Sequence, residues 1–433
     1  VKICMFTNTY LPHVGGVANS VSRFTRDLRR MGHHVLVIAP TFSKTGKKAP
    51  DEDRVLRVPA IQNFNGSDFS VRIPVPFIID ETMDDFEPDI IHSHHPYLLG
   101  DTAVRAARRR GLPIVFTHHT RYEEYTHYVT ENNKLMKRFA ANLSTAYANL
   151  CDHVIAPSQS IAELISRRGV KTPVTVIPTG VDRDLFGIGR RDEGRHALEI
   201  SRTAEVIGHV GRLAREKNIP FLAQAVARHV KDTPDAVFLV VGDGPARADI
   251  LCIFEDAGVA DRLILAGKQT GQALADAYAA MDVFVFASKT ETQGMVLTEA
   301  MAAGIPVIAV DAPGVREVVQ EHRNGRRLPE DASADTFAGA IRDFFRESDR
   351  RKQWKENAYQ TAAQFDRRVC AEHLAAAYRR LLEKKAASEK SEPEAMTSWN
   401  NLLNAIKAEW GLAAEKAKAL SATVMDNNIQ ERD

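Results

Sequence analysis

The chain has 433 residues, 57 Lys+Arg against 56 Asp+Glu, 44% hydrophobic residues and 7% aromatics, the composition of a globular protein of about two or three domains. A formal net charge of +1 excludes the global basic field of a nucleic-acid scaffold, so no nucleic-acid partner is expected. No apolar run reaches the ~18 residues of a spanning helix, the start VKICMFTNTY lacks a basic n-region, and Cys4, Cys151, Cys252 and Cys370 show no CxxC spacing, so a cytoplasmic protein without signal peptide, disulfide framework or zinc site is expected.

In chain order, an apolar run at 2–8 leads into the loop YLPHVGG, a helical pattern at 17–31 and a second apolar run at 34–40, which reads as strand, loop, helix, strand. The alternation continues through strands at 89–92, 112–117, 154–157 and 174–178. A polar, charged stretch at about 183–203 reads as a connection. A second series follows, at 206–211, 237–242, 263–265, 283–286 and 306–310. Strands alternating with helices predict parallel sheets covered on both faces, so the expected class is α/β with two Rossmann-like domains facing a cleft. The expected divisions are 1–185, 186–365, a closing helix at 366–384, and a linker with an amphipathic helix at 385–433. In that tail Trp399, Leu402, Leu403, Ile406, Trp410, Ala413, Ala417, Leu420 and Val424 form one helical stripe. Its small alanines and mixed charges predict docking on the body or a homo-oligomer contact through 396–424 rather than membrane insertion.

Chemistry-bearing residues fall after predicted strands, where open α/β sheets bind ligands. The stretch SKTETQGMVLTEAMAAGIPV, residues 288–307, follows the strand at 283–286, and helical spacing from Met295 places Gly294 at a helix N-terminus. Free N–H groups there accept an anion, and glycine lets a diphosphate or sugar approach the backbone. Glu291 and Glu299, eight positions apart, can accept hydrogen bonds from vicinal hydroxyls. Isolated glutamates are more often solvated helix acids, but the position after a strand weighs against that here. GRLAREK, at 211–217, offers Arg212 and Lys217 for a diphosphate, with a solvated basic turn as the equal alternative. Gly15-Gly16 suits close approach of a phosphate, although GxGxxG is absent.

Ten of the fifteen histidines precede residue 154, several of them in HSHHP and THHTRYEEYTHY. With no HExxH or H-x-E…CxxC spacing they read as polar site lining, with at least one histidine bonding a substrate hydroxyl or backbone carbonyl, and not as metal ligands.

Taken in order, LPHVGGV, THHT, PSQS, PTGVD, GRLAREK, VGDGP and the E-x7-E motif before AMAAGIPV resemble the family-4 retaining glycosyltransferases of the GT-B fold, over residues 1 to about 384. The resemblance implies metal-independent hexose transfer from a nucleotide sugar with no other cofactor, UDP-glucose being the favoured donor. It assigns the nucleotide ribose to Glu299, the sugar hydroxyls to Glu291, sugar and phosphate to the backbone of Gly294, Met295 and Val296, and the diphosphate to Arg212 and Lys217. Gly16 is assigned the phosphate from the other domain, and His119 the donor sugar as active-site histidine. It also implies front-face transfer, with Glu291 as nucleophile the alternative.

HHTRYEEYTHYV further resembles bacterial diacylglycerol glucosyltransferases, making His118, Tyr122, Glu124 and His127 acceptor-side candidates. An amphipathic pattern follows at Leu135, Met136, Phe139, Leu143, Ala146 and Tyr147, and Arg105, Arg108, Arg109 and Arg110 form a basic cluster. A core-facing helix and a solvated charged face are the simpler readings of the two. Together they favour a lipid acceptor and an anionic membrane surface met by the N-terminal half, which places the protein peripherally at the inner face of the membrane. A soluble acceptor and a catalytically silent sugar-nucleotide-binding scaffold remain the alternatives.

Overall fold

Along the first strand, β1 (Lys2–Phe6), Ile3 and Met5 enter one apolar layer while Cys4 and Phe6 enter the opposite one, all fully buried. This is the period-two alternation of a strand covered on both faces. The computed structural model describes residues 1–13, 15–41, 54–61, 71–72, 76–124, 134–389 and 412. The chain divides into two units, Val1–Thr179 with Cys370–Asp433, and Gly180–Val369.

The first unit contains β1, α1 (Gly16–Arg30), β2 (His34–Pro40), β3 (Val55–Val58), the short antiparallel pair β4 (Ala60–Ile61) and β5 (Val71–Arg72), and α2 (Pro76–Phe86). It continues with β6 (Ile90–Ser93), α3 (Leu99–Arg110), β7 (Ile114–Thr117), α4 (Lys134–Leu150), β8 (His153–Ala156), α5 (Gln159–Arg167) and β9 (Val174–Val176). Its parallel sheet has the order β3-β2-β1-β6-β7-β8-β9. In α1, Val21, Phe24 and Leu28 recur at helical spacing and cover one face.

The second unit runs α6 (Arg183–Phe186), α7 (Arg191–Ala197), β10 (Glu205–Val210), α8 (Ile219–Asp232), β11 (Ala236–Val241), α9 (Arg247–Asp256), β12 (Leu263–Gly267) and α10 (Gly271–Ala280). Then follow β13 (Val283–Phe286), α11 (Met295–Ala302), β14 (Val307–Val310), β15 (Gly325–Leu328), α12 (Ala334–Arg346) and α13 (Ser348–Gln364). Its parallel sheet has the order β12-β11-β10-β13-β14-β15. Val206, Leu239, Phe284 and Val307 pack with α10, α11 and α13, while Ile207, Phe238, Val283 and Ile308 pack with α8, α9 and α12. The final helix, α14 (Arg367–Glu389), returns Ala371, Leu374 and Tyr378 to the core of the first unit.

Two expectations change. The polar stretch at 183–203 is not a free connection, because it folds into α6 and α7. Its Arg195 is 1% exposed, pairs with Asp282 at 2.9 Å and donates to the carbonyls of Ala280, Ser201 and Arg202. A buried guanidinium with its donors satisfied makes a polar segment part of the fold. The arginine cluster on α3 is also engaged: Arg108 pairs with Asp152, Arg109 with Asp80, and Arg110 with Asp80 and Asp84. The proposed oligomer segment 396–424 lies outside the described residues apart from Leu412, which is 4% exposed within the core of the first unit.

Replacing Arg195 with Met is expected to lower the stability of the second unit by about 2–3 kcal/mol, since Asp282 keeps Arg191 but loses its buried partner. Urea unfolding followed separately for the two units checks this, and the transition of the first unit should not move.

Candidate functional site

In each sheet the strand order reverses beside the first strand, between β1 and β6 in one unit and between β10 and β13 in the other. Loops leaving the carboxyl ends of such neighbours depart to opposite sides and open a crevice. The sequence candidates fall at these two places.

In the second unit, residues 211–217 leave β10 and residues 287–294 leave β13. The first loop lies backbone to backbone on the loop after β11: Leu213 N–H donates to Asp243 O at 3.1 Å and Ala246 N–H to Leu213 O at 2.9 Å. A Cβ on Gly242, whose φ is +138°, would stand 1.9 Å from Gly211 O, so only glycine permits this approach. Lys217 Nζ and Glu291 Oε1 form an ion pair that joins the two loops, with side chains 19% and 17% exposed. The hydroxyls of Ser288 and Thr290 lie 3.4 Å from Glu216 O. Arg212 is exposed at the same strand end.

Gly294 precedes α11 with φ +70°, and a Cβ there would meet Leu297 Cδ1 at 2.8 Å. Its N-cap residue, a glycine, brings no capping side chain to this helix. The N–H groups of Met295 and Val296 therefore precede the first in-helix bond, from Leu297 N–H to Gly294 O at 2.9 Å. One turn further on, Glu299 is 6% exposed and accepts from Tyr278 OH of α10 at 3.1 Å. Beneath the loops His209 donates Nδ1–H to Val285 O at 3.0 Å, and burial lowers its pKa to about 4.

In the first unit the segments after β1, β6 and β7 converge. Asn8 N–H donates to His95 Nδ1 at 3.1 Å, its Nδ2 to Tyr97 O at 3.1 Å, and its Oδ1 accepts from Leu99 N–H at 3.2 Å. Gly16 is the first residue of α1, at the carboxyl end of β1. His92 is held at both nitrogens, 2.6 Å from Tyr378 OH and 2.7 Å from Thr117 Oγ1. His94, fully buried, places Nδ1 2.9 Å from Nε2 of His119, which is half-buried.

Burial keeps these imidazoles neutral. The pKa falls to about 3 for His92 and His95 and to about 4 for His118, while His94 and His119 are also held well below the ordinary imidazole value, by burial first and then by neighbouring histidines. His118 and Tyr122 are buried in the wall behind the site with rings 5.9 Å apart, and Glu124 pairs with Arg121 at 2.8 Å. His127 lies outside the described residues. Among the described residues no three of His, Cys, Asp and Glu are grouped to hold a metal ion.

Sequence reasoning singled out Glu291, Glu299, Lys217 and His119 but not the contacts of Glu299 and His119 with other elements. Tyr278, Asn8 and the contact of His94 with His119 depend on neighbouring strands, a relation that spacing within one segment does not carry. The second histidine of HSHHP, two residues after the one that ends in the sheet, was the available signal for His94.

Residues 14–185 match the family described as Glycosyltransferase Family 4, and residues 190–361 match Glycosyl transferases group 1. An alpha-monoglucosyldiacylglycerol synthase of Streptococcus pneumoniae is 30% identical over 332 residues, 75% of this chain and 74% of that protein. A GDP-mannose-dependent alpha-mannosyltransferase of Mycobacterium tuberculosis is 34% identical over 333 residues, 76% of this chain and 84% of that protein. In fold, the chain is similar to a sucrose-phosphate synthase from Thermosynechococcus elongatus, with a TM-score of 0.73 at 22% identity over 88% of this chain and 99% of that one. HepE of Anabaena in complex with UDP-glucose gives a TM-score of 0.70 at 22% identity, again over 88% and 99%.

The chain therefore belongs to the GT-B glycosyltransferases, in the family-4 and group-1 lineage. It is an enzyme that transfers a sugar from a nucleotide sugar.

Two outcomes follow from the site. Removing the hydroxyl of Tyr278 as Tyr278→Phe leaves the buried Glu299 carboxylate with one bond fewer and should lower the stability of the second unit by about 1 kcal/mol, on the scale of one hydrogen bond; urea unfolding checks this. The buried histidines take up protons only when unfolded, so stability should fall as pH drops below about 6.5, by up to about 1.4 kcal/mol per pH unit for each such histidine. Unfolding free energies at pH 7 and pH 5 test this, and equal values would contradict it.

Proposed function

We propose that the enzyme is a retaining hexosyltransferase that moves glucose from UDP-glucose to a lipid hydroxyl such as that of diacylglycerol, without a metal ion. The observation that carries the donor half of this reading is the union at one reversal point of the Lys217–Glu291 pair, the start of α11 at Gly294 and the buried Glu299.

In this reading Glu299 accepts from the two ribose hydroxyls and Tyr278 holds its carboxylate in place. Arg212, Lys217 and the N–H groups at Gly294, Met295 and Val296 receive the diphosphate and the sugar, while Glu291 accepts from sugar hydroxyls. Charge grows on the departing phosphate oxygen, and cations with a helix N-terminus stabilise it more in the transition state than before it. Gly16 meets phosphate and His119 meets the sugar from the first unit.

The bond from C1 to phosphate oxygen breaks as the bond from C1 to the acceptor oxygen forms on the same face. The acceptor proton passes to the leaving phosphate oxygen, so charge and atoms balance without an enzyme base. Glu291 already pairs with Lys217, which disfavours it as a nucleophile.

The lipid acceptor is supported by the alpha-monoglucosyldiacylglycerol synthase named among the relatives and by α4, whose Leu135, Met136, Phe139 and Leu143 remain half-buried while Ala146 and Tyr147 enter the core. His118, Tyr122, Glu124 and His127 would shape the acceptor side, His118 and Tyr122 from within the wall. A basic excess in the first 185 residues favours work at an anionic membrane face. The paired arginines of α3 supply little of that attraction. A second reading, mannosyl transfer from GDP-mannose, is favoured by the 34% identity to the mannosyltransferase.

A transfer screen crossing UDP-glucose and GDP-mannose with diacylglycerol vesicles and soluble sugars distinguishes these readings. Glucosylated diacylglycerol from UDP-glucose is expected. Turnover of GDP-mannose alone overturns the donor, and soluble products alone overturn the acceptor. In the productive pair, Glu291→Gln and His119→Ala should each lower kcat/KM by about 100-fold or more, on the scale of lost transition-state contacts.

A further inference from the structure

The contact between His94 and His119 carries more than a shared location. Both rings are neutral, so only one proton can lie on the 2.9 Å line between His94 Nδ1 and His119 Nε2. If His119 supplied it, the proton of His94 would sit on its own Nε2. That atom is buried and has no hydrogen-bond partner among the described residues. Stranding an N–H in such a place is costlier than stranding a lone pair, and orphaned buried donors are the rarer of the two in folded proteins. The proton between the rings therefore belongs to His94.

Its surroundings hold His94 in that role. Its backbone N–H donates to Phe6 O at the end of β1, at 2.9 Å. Its ring lies against that of His92, centroids 4.1 Å apart, and His92 is locked by Tyr378 and Thr117. The ring of His119 meets it edge to edge, centroids 5.1 Å apart and planes 27° apart, and is half-buried.

We propose that His94 is a positioning residue that donates Nδ1–H to His119 Nε2, fixing His119 as its Nδ1–H tautomer and making it a hydrogen-bond donor toward the substrate rather than a proton acceptor. This rests on the reading of His119 as the sugar-contacting histidine. It adds a reason why that histidine does not take the acceptor proton: its basic nitrogen is already occupied. A donor aimed at the sugar or phosphate oxygen helps departure, and the acceptor proton is left for the phosphate.

The tautomer is measured directly by long-range 1H–15N correlation on histidine-labelled full-length protein, with His119 assigned from the spectrum of His119→Gln. The expected result is an unprotonated Nε2 and a protonated Nδ1 at His119. A protonated Nε2 overturns the proposal without touching the sugar-contact reading, whereas a His119→Ala enzyme with unchanged turnover overturns that reading and leaves the tautomer result standing.

Kinetics supply the second arm, with whichever of UDP-glucose and GDP-mannose is turned over. His94→Leu should lower kcat by about 10- to 100-fold, the scale seen when a group that orients a histidine is removed, with KM for the donor changed less than about 2-fold. His94→Asn, whose amide can donate from nearly the same place as Nδ1, should restore most of kcat. Equal losses in both variants, or none in His94→Leu, overturn the positioning role.

Discussion

The arrangement depends on one topological constraint. A parallel strand cannot return directly beside its neighbour, so each connection passes over a face of the sheet, and at one place in each sheet the direction of winding reverses. In the second unit that place is between β10 and β13, and in the first between β1 and β6. Everything assigned to chemistry leaves the carboxyl end of one of those strands or of an adjacent one. Strand burial on both faces fixes the register, because a one-residue slip along β10 would exchange Val206 with Ile207 between two unlike helix layers.

On that frame the two units use opposite electrostatics. The second gathers full charges, with Lys217 against Glu291, Arg212 nearby and Glu299 buried against a tyrosine hydroxyl. These suit a ligand that is itself charged and rich in hydroxyls. The first gathers neutral imidazoles, His92 tied to two hydroxyls, His95 to a backbone N–H, and the buried His94 to the half-buried His119. Such a surface orients hydrogen bonds without adding charge.

Much of this was legible in the chain. Alternating strand and helix patterns announced two parallel sheets, and the position of E-x7-E and GRLAREK after apolar runs placed them correctly at strand ends. Edge strands were less legible. VLRV at β3 and GRRL at β15 carry arginines, have partly exposed middles and lack a continuous apolar run, as edge strands often do. The helices of 183–197 were hidden for a different reason: Arg195 is satisfied by carbonyls of Ala280, Ser201 and Arg202, partners that no local pattern indicates. The basic run on α3 likewise reads as a patch until Asp80, Asp84 and Asp152 are brought beside it. The candidate residues announce themselves by motif, whereas the residues that hold them are defined by packing.

The central claim is that sugar transfer proceeds on one face, with the leaving phosphate as the base and no enzyme nucleophile. Retention of configuration at the anomeric carbon is its most direct consequence. Proton NMR of the first product formed from an α-linked nucleotide sugar, recorded before any equilibration, reads this through the coupling at that carbon. The account predicts an α-linked product; a β-linked one would contradict it.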